Sequence, residues 1–177
     1  MPGVFTRPGY VRIFTINPHM QLTLEPIRPG EDYADAAYAS EDCRLALDMW
    51  AEYYPKIGFQ PPWIGYLVKL DHQIAGTCAF TGPPSRGRVE ISYWTFAPFE
   101  GRGIATHACR ALLELARNTD PSLTVFAKTA PEKNASTTIL ERCGFVFSGI
   151  VQDHEIGDAW EWILPAQALH LPENTAP

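Results

Sequence analysis

A glycine-rich turn joins a β-rich run to an amphipathic helix, and this junction constrains the fold more than any other part of the sequence. Residues 88–96 are rich in β-branched and aromatic side chains, which is typical of a strand. From Gly101 to Asn118 the apolar residues recur at helical spacing and share one face. A strand that leads through a short turn into such a helix predicts a helix packed on a sheet.

The rest of the chain alternates strands and helices. One or two helices are predicted over residues 31–54, a loop over residues 55–62, and a short helix over residues 135–142 that Gly144 ends with a left-handed cap. The further strands are predicted over residues 21–28, 63–70, 74–81, 123–128, 145–151 and 159–164. This order predicts an α/β (α+β) fold with a mixed sheet of about seven strands.

The length of the chain, 177 residues, fits one domain. We assign this domain to residues 20–165. Residues 1–19 are interpreted as an N-terminal tail that could add a strand, and residues 166–177 as a loosely ordered C-terminal tail. The sequence allows a homodimer but does not require one.

Charge and composition exclude several classes of function. The formal net charge of −6 argues against general nucleic-acid binding, which needs a cationic surface. No apolar run approaches the roughly 18 to 20 residues that cross a bilayer, and residues 1–18 lack the features of a secretory signal. The four cysteines lie far apart, without metal-ligand spacing. We therefore expect a cytoplasmic protein with reduced thiols, no membrane partner and no metal.

The turn that begins at Gly101 also suits the binding of an anion. The first N–H groups of a helix have no partner within the helix, and the helix dipole adds partial positive charge there. Glycines let a phosphate approach the backbone, and Arg102 can add a charge. A strand-to-helix turn that uses glycine only for conformational freedom is the alternative interpretation.

Two motifs resemble those of the GNAT superfamily of N-acetyltransferases. Glu100-x-x-Gly103-x-Ala105 resembles the signature Gln/Arg-x-x-Gly-x-Gly/Ala, with Glu100 at the position that is usually Gln or Arg. Residues 131–145 resemble the helix Asn-x-x-Ser/Ala … Leu-Glu-Lys-x-Gly-Phe, most closely in the branch of the ribosomal-protein alanine N-acetyltransferases. The resemblance implies a mostly antiparallel central sheet with helices on both faces.

The resemblance also implies acetyl-coenzyme A as the acyl donor. Its pyrophosphate would lie at the glycine turn, on the residues Gly101, Arg102, Gly103, Ile104, Ala105 and Thr106. Backbone groups near Thr95 and Phe96 would lie beside the pantetheine arm and the developing oxyanion. Asn134 and Ser136 would lie beside the thiol, although either one could instead be a helix cap.

Acetyl transfer requires that the amine lose a proton and that charge on the carbonyl oxygen be stabilised. Glu90 is the candidate base because it shares a strand face with Ser92 and Trp94, and the family often places a Glu here. A solvated or ion-paired carboxylate is the alternative. Many relatives use a Tyr as the acid where this chain has Leu140. The candidate acid here is Ser136 acting through water, or Tyr93; the alternative is a thiolate that leaves without specific protonation.

The predicted reaction is direct attack of a primary amine on acetyl-coenzyme A in a ternary complex, because no cysteine has a His and an acid at readable spacing. The acceptor is an amine-bearing small molecule or a protein N-terminus. Aromatic residues between positions 50 and 63 either line the acceptor pocket or form part of the core. The alternative function is an acyl-coenzyme A-binding regulatory or interaction module that lacks catalysis.

Overall fold

The structure, a computed structural model, describes residues 12–17, 20–154 and 156–165. Most of the predicted N-terminal tail and all of the predicted C-terminal tail lie outside these residues. The helices are α1 (Glu41–Ile57), α2 (Ile104–Thr119) and α3 (Ala135–Arg142). The strands are β1 (Arg12–Asn17), β2 (Met20–Pro26), β3 (Gly65–Leu70), β4 (Gln73–Phe80), β5 (Arg88–Thr95), β6 (Thr124–Thr129), β7 (Val146–Asp153) and β8 (Gly157–Ile163).

The strands of the described chain form one eight-stranded sheet in the order β1-β2-β3-β4-β5-β6-β8-β7. Every neighbouring pair is antiparallel except β5 and β6, which are parallel because α2 carries the chain back across the sheet between them. The predicted mixed, mostly antiparallel sheet is therefore confirmed. The strand β1 pairs with β2 at one edge and β7 forms the other edge.

The two faces of the sheet are covered by different helices. Residues paired across antiparallel strands share a face, so Gly65, Ala79 and Ser92 lie on one side, where Trp50 of α1 packs. The neighbouring β5 residues Val89 and Ile91 point to the other side and are buried there beneath α2. Helices on both faces were predicted, and this is confirmed.

The helix α1 is fixed to the sheet by its aromatic side chains. The Tyr54 hydroxyl donates to the Ile27 carbonyl at 2.7 Å and accepts from the Gly65 N–H at 3.2 Å. The prediction that helix ends before Pro55 is wrong, because α1 continues through Pro55 to Ile57. These two bonds anchor the last turn, where the proline removes one helical hydrogen bond.

We predict that Gly65→Ala destabilises the protein. A Cβ at this position would lie 2.3 Å from Cε2 of Trp50, so the indole could not keep its place against β3. Overpacking of this kind costs roughly 1–3 kcal/mol in the free energy of unfolding, measurable by urea denaturation. Gly82→Ala is the matched control because a Cβ there meets nothing within 4 Å. Equal stability of the two variants would contradict the packing described for Trp50.

Candidate active site

A gap opens in the sheet where β5 and β6 stop pairing. Only residues 88–90 of β5 pair with residues 124–126 of β6, although β5 continues to Thr95 and β6 to Thr129. Glu90 and Phe126 are the last paired residues. The two strands therefore part directly beyond Glu90, and the backbone groups that border the gap are not paired with each other across it.

The register of β4 and β5 decides which backbone groups face this gap. The Thr81 N–H donates to the Glu90 carbonyl at 3.0 Å, and the Phe96 N–H donates to the Ala75 carbonyl at 2.9 Å. Because hydrogen-bonding direction alternates along an antiparallel strand, Tyr93 and Thr95 direct their N–H and C=O groups away from β4 and towards the gap. Of the predicted pair Thr95 and Phe96, only Thr95 has an N–H that faces the gap, since the N–H of Phe96 already donates to the Ala75 carbonyl.

The glycine turn follows β5 and leads into α2. Gly101 and Gly103 have φ values of 73° and 76°, in the left-handed region that glycine adopts readily. The helix therefore begins at Ile104, three residues later than predicted. The first backbone hydrogen bond at this end of the helix runs from the His107 N–H to the Gly103 carbonyl at 3.1 Å. The N–H groups of residues 104–106 precede that bond and are the donors that an anion would meet.

The side chains of this turn have distinct roles. Ile104 is 2% exposed and anchors α2 in the core, so it offers a ligand only its backbone. Arg102 is exposed, donates to the Pro98 carbonyl at 3.3 Å and lies with its guanidinium 5.4 Å from the centre of the Phe99 ring. The Arg102 cation is thus held against residues 98 and 99, which precede the glycine turn. The sixteen-residue helix adds its dipole to that charge.

The start of α3 lies beside β5. Asn134 caps this helix: its Oδ1 accepts from the Thr137 N–H at 3.2 Å, and Oγ1 of Thr137 accepts from the Asn134 N–H at 3.1 Å. The alternative considered for Asn134, a helix cap, is what the structure shows. The Tyr93 hydroxyl donates to the Ser136 carbonyl at 3.1 Å and so joins β5 to α3. Ser136 itself is half-buried.

Two neighbouring groups bear on the candidate acid. Burial raises the pKa of Tyr93, and its proton is already directed to the Ser136 carbonyl. Leu140 is 0% exposed and packs in the core, so this position supplies no proton. Of the two candidates from the sequence, only Tyr93 has a side-chain hydrogen bond among the described residues, which leaves Ser136 as the candidate acid.

Glu90 lies on the α1 face of the sheet, at the base of the gap, with 23% of its side chain exposed. One of its oxygens lies 3.3 Å from Nζ of Lys128, which also lies 2.9 Å from Oδ2 of Asp153. Burial raises the pKa of Glu90; Lys128 opposes this, while Asp153 and Glu161 add to it. A carboxyl whose pKa is raised holds a proton more readily, as a general base must. Glu90 is therefore both an ion-paired carboxylate and the candidate base.

The same face carries exposed side chains that an acceptor could contact. Ser92 and Trp94 alternate with Glu90 along β5, and Trp94 is 37% exposed. The Tyr53 hydroxyl donates to the Thr81 carbonyl at 2.9 Å, on the residue paired with Glu90. Trp50 is buried, so for it the core interpretation holds.

Lys128 was not found from the sequence, and Asp153 was noted there only within the polar turn of the final hairpin, which could border the acceptor site. Lys128 shares its face of β6 with Phe126, and Asp153 shares its face of β7 with Val151, so neither lies in a run of alternating polar residues. Their only signal is that β6 follows the helix at the glycine turn, which makes β6 the parallel neighbour of the strand that carries Glu90. The partner from β7 depends on a strand order that the chain does not display.

Two further findings concern metal ions and membranes. Within residues 20–154 and 156–165, no three His, Cys, Asp or Glu side chains group in a way that could hold a metal ion. None of the helices described is both long and apolar enough to cross a bilayer.

Three solved acetyltransferases share this fold. A ribosomal-protein-S5-alanine acetyltransferase from Vibrio fischeri is 15% identical, with a TM-score of 0.58 over 86% of this chain and 95% of that chain. RimL, a ribosomal L7/L12 alpha-N-protein acetyltransferase in complex with coenzyme A, is 15% identical, with a TM-score of 0.58 over 86% and 97%. The microcin C7 self-immunity acetyltransferase MccE, in complex with acetyl-CoA and AMP, is 19% identical, with a TM-score of 0.58 over 80% and 91%. At these identities the likeness shows the fold.

The sequence itself gives the family. No curated protein sequence matches the chain. A family model described as the acetyltransferase (GNAT) domain matches residues 14–146, which is more than half of the chain and includes the glycine turn, Glu90 and all of α3. The chain therefore belongs to the GNAT acetyltransferase family.

Proposed function

We propose that this protein transfers the acetyl group of acetyl-coenzyme A to a primary amine by direct attack in a ternary complex. The observation that carries the proposal is the parting of β5 and β6 directly beyond Glu90. It puts one partly buried carboxylate at the base of a gap that leads along β5 to the start of α2. A thioester held along the gap would then meet an amine arriving from the α1 face.

The backbone along this path supports binding of the donor. The N–H groups of residues 104–106 and the cation of Arg102 suit a pyrophosphate. Tyr93 and Thr95 present backbone donors and acceptors to the gap, as an edge strand does. An arm that contains amide groups can pair with them as an additional strand would. The Thr95 N–H is also the donor that we assign to the carbonyl oxygen as negative charge develops on it.

The proton steps are assigned to two side chains. Acetyl-coenzyme A supplies a thioester carbonyl that a neutral amine can attack. Glu90, directly or through one water, accepts the proton that the amine loses. Ser136 is our candidate to protonate the leaving thiolate through water, because it lies at the start of α3 and Tyr93 donates to its carbonyl rather than to a ligand. No covalent enzyme intermediate is needed.

The acceptor that we propose is a primary amine of a small molecule or of a protein N-terminus. Two of the three named neighbours are acetyltransferases of ribosomal L7/L12 and of ribosomal protein S5, and the third is a microcin C7 self-immunity acetyltransferase. The shared fold is therefore compatible with both kinds of acceptor.

The location that we propose is the cytoplasm. All four cysteines lie in the described chain and are free thiols, which supports a reducing compartment.

Two observations favour a second candidate, an acyl-coenzyme A-binding module without catalysis. Leu140 stands fully buried at the position where many relatives place an acidic Tyr, and Asn134 is engaged as a helix cap. Such a module would bind coenzyme A through the same backbone groups. It would release no thiol in the presence of any amine.

We predict that Glu90→Gln lowers kcat/KM about 10²- to 10⁴-fold, the usual contribution of a general base, without weakening coenzyme A binding. The measurement is thiol release from acetyl-coenzyme A across a panel of peptides, polyamines and amino sugars. Glu141→Gln, an exposed carboxylate on α3, is the control and should retain full activity. Coenzyme A binding with no turnover by the wild type on any amine would favour the module, and absence of coenzyme A binding would overturn both candidates.

The pH dependence of the wild type should follow Glu90. The base works as the carboxylate, so kcat/KM should rise with pH as Glu90 loses its proton. Because burial raises the pKa of Glu90, this rise should occur above the usual carboxyl range, which centres near about 4.3. A pH profile with saturating acetyl-coenzyme A tests this, and a profile that stays flat down to pH 4.5 would argue against Glu90 as the base.

We also predict that Gly103→Ala weakens coenzyme A binding about tenfold or more. The substitution places a side chain at a φ of +76°, and its methyl group would stand at the N-terminus that the pyrophosphate must approach. Gly30→Ala is the matched control, because its φ is +74° and it lies in the loop after β2, away from the turn. Calorimetric titration should show a loss of affinity only for Gly103→Ala, while urea denaturation shows similar destabilisation of both. Equal affinity in the two variants would remove the pyrophosphate from this turn.

A further inference from the structure

One lysine lies between two carboxylates beside the candidate base. Nζ of Lys128 on β6 is 2.9 Å from Oδ2 of Asp153 on β7 and 3.3 Å from Oε2 of Glu90 on β5. All three side chains are largely removed from solvent, with exposed fractions of 22%, 12% and 23%. Three different strands thus meet in one polar cluster at the base of the gap.

We propose that Lys128 and Asp153 form a positioning pair that sets the proton affinity of Glu90 by dividing one cation between two carboxylates. The proposal rests on the proposed function, in which Glu90 accepts the proton of the amine. Neither Lys128 nor Asp153 touches the reacting atoms in this account; both act through Glu90.

The geometry gives Asp153 the larger share of the cation. Its contact with Lys128 is the shorter one and is a hydrogen bond. The other oxygen of Asp153, Oδ1, accepts from the Ile156 N–H at 3.3 Å, so the hairpin turn holds this carboxylate in place. Glu90 receives the longer contact. A cation that is held mainly elsewhere stabilises the Glu90 carboxylate without saturating it.

Either extreme would impair a base. A buried carboxyl with no cation nearby would hold its proton, because burial disfavours the charged form. A carboxylate paired with a lysine of its own would be too weak a base to take a proton from an amine. Burial lowers the pKa of Lys128, but Asp153 and Glu90 outweigh this effect and raise it, so the lysine stays protonated.

The other groups around Glu90 do not replace this pair. On the same face, Arg88 of β5 is paired with Glu161 of β8 at 2.9 Å, and its guanidinium lies 4.2 Å from the centre of the Phe126 ring. From α1, the Tyr53 hydroxyl donates to the Thr81 carbonyl. Lys128 is therefore the cation that Glu90 contacts, and Asp153 is the carboxylate that shares it.

The test compares the pH dependence of kcat/KM in two variants that should move it in opposite directions. Lys128→Met removes the cation, so the rise of activity with pH should move to higher pH. Each unit of that movement costs about tenfold in the deprotonated fraction of Glu90 below the midpoint. Asp153→Asn releases Lys128 to Glu90, so the rise should move to lower pH while the plateau rate falls. Lys128→Arg keeps the cation and should restore a midpoint near that of the wild type.

The outcomes separate this inference from the proposed function. A purely structural role would lower the folded fraction without moving the midpoint, and a movement of both midpoints in the same direction, or of neither, would overturn the inference. If Glu90→Gln abolishes activity while both midpoints stay in place, the base stands and only the positioning pair fails. If Glu90→Gln leaves the profile unchanged, the proposed base itself fails. Should Lys128→Met not fold, Asp153→Asn decides the question, because a downward movement is not expected from general loss of structure.

Discussion

The arrangement of the site depends on the short pairing between β5 and β6. Two adjacent parallel strands would ordinarily stay paired along their whole length. A backbone N–H or C=O group that is buried without a hydrogen-bond partner is costly. Here only three residues of each strand pair, and the backbone of Tyr93 and Thr95 is turned to the side that β6 has left. These groups need water or a ligand as their partner. The gap is thus a backbone surface with the spacing of a strand, which a narrow chain containing amides can fill.

The same strand fixes the other parts of the site. It carries Glu90 at the base of the gap and leads, through a short 3₁₀ turn and two left-handed glycines, to the first N–H groups of α2. Its opposite edge is held by β4, where Gly76 approaches so closely that a Cβ would lie 2.3 Å from the Trp94 carbonyl oxygen. A rigid strand therefore spaces the anion-binding turn from the carboxylate. The two faces of that strand differ. One is buried under α2 through Val89 and Ile91, and the other carries Glu90 and the exposed side chain of Ser92.

The sequence predicted best what local chemistry determines. The bounds of α3 agree with the prediction because Asn134 caps its start and Gly144 adopts a positive φ after its end. The start of α2 was placed too early, since Gly101 and Gly103 were counted into the helix although their left-handed conformation excludes them. The continuation of α1 through Pro55 depends on the bonds of Tyr54 to two distant segments, which no local pattern reveals.

Features that depend on strand register or strand order could not be predicted from the sequence. Whether the N–H of Thr95 or Phe96 faces the gap depends on which residue of β4 lies opposite, because a shift by one residue exchanges the two. The contact of Lys128 with Asp153 requires that β8 insert between β6 and β7. Neither fact leaves a trace in composition or spacing.

The decisive experiment is a structure determined with bound coenzyme A. We expect pyrophosphate oxygens within hydrogen-bond distance of the N–H groups of residues 104–106, and a pantetheine arm that hydrogen-bonds to the backbone of Tyr93 and Thr95. The sulfur should lie in the gap between β5 and β6, on the side of Glu90. Coenzyme A bound outside this gap, or a complex in which β5 and β6 pair along their full length, would contradict this expectation.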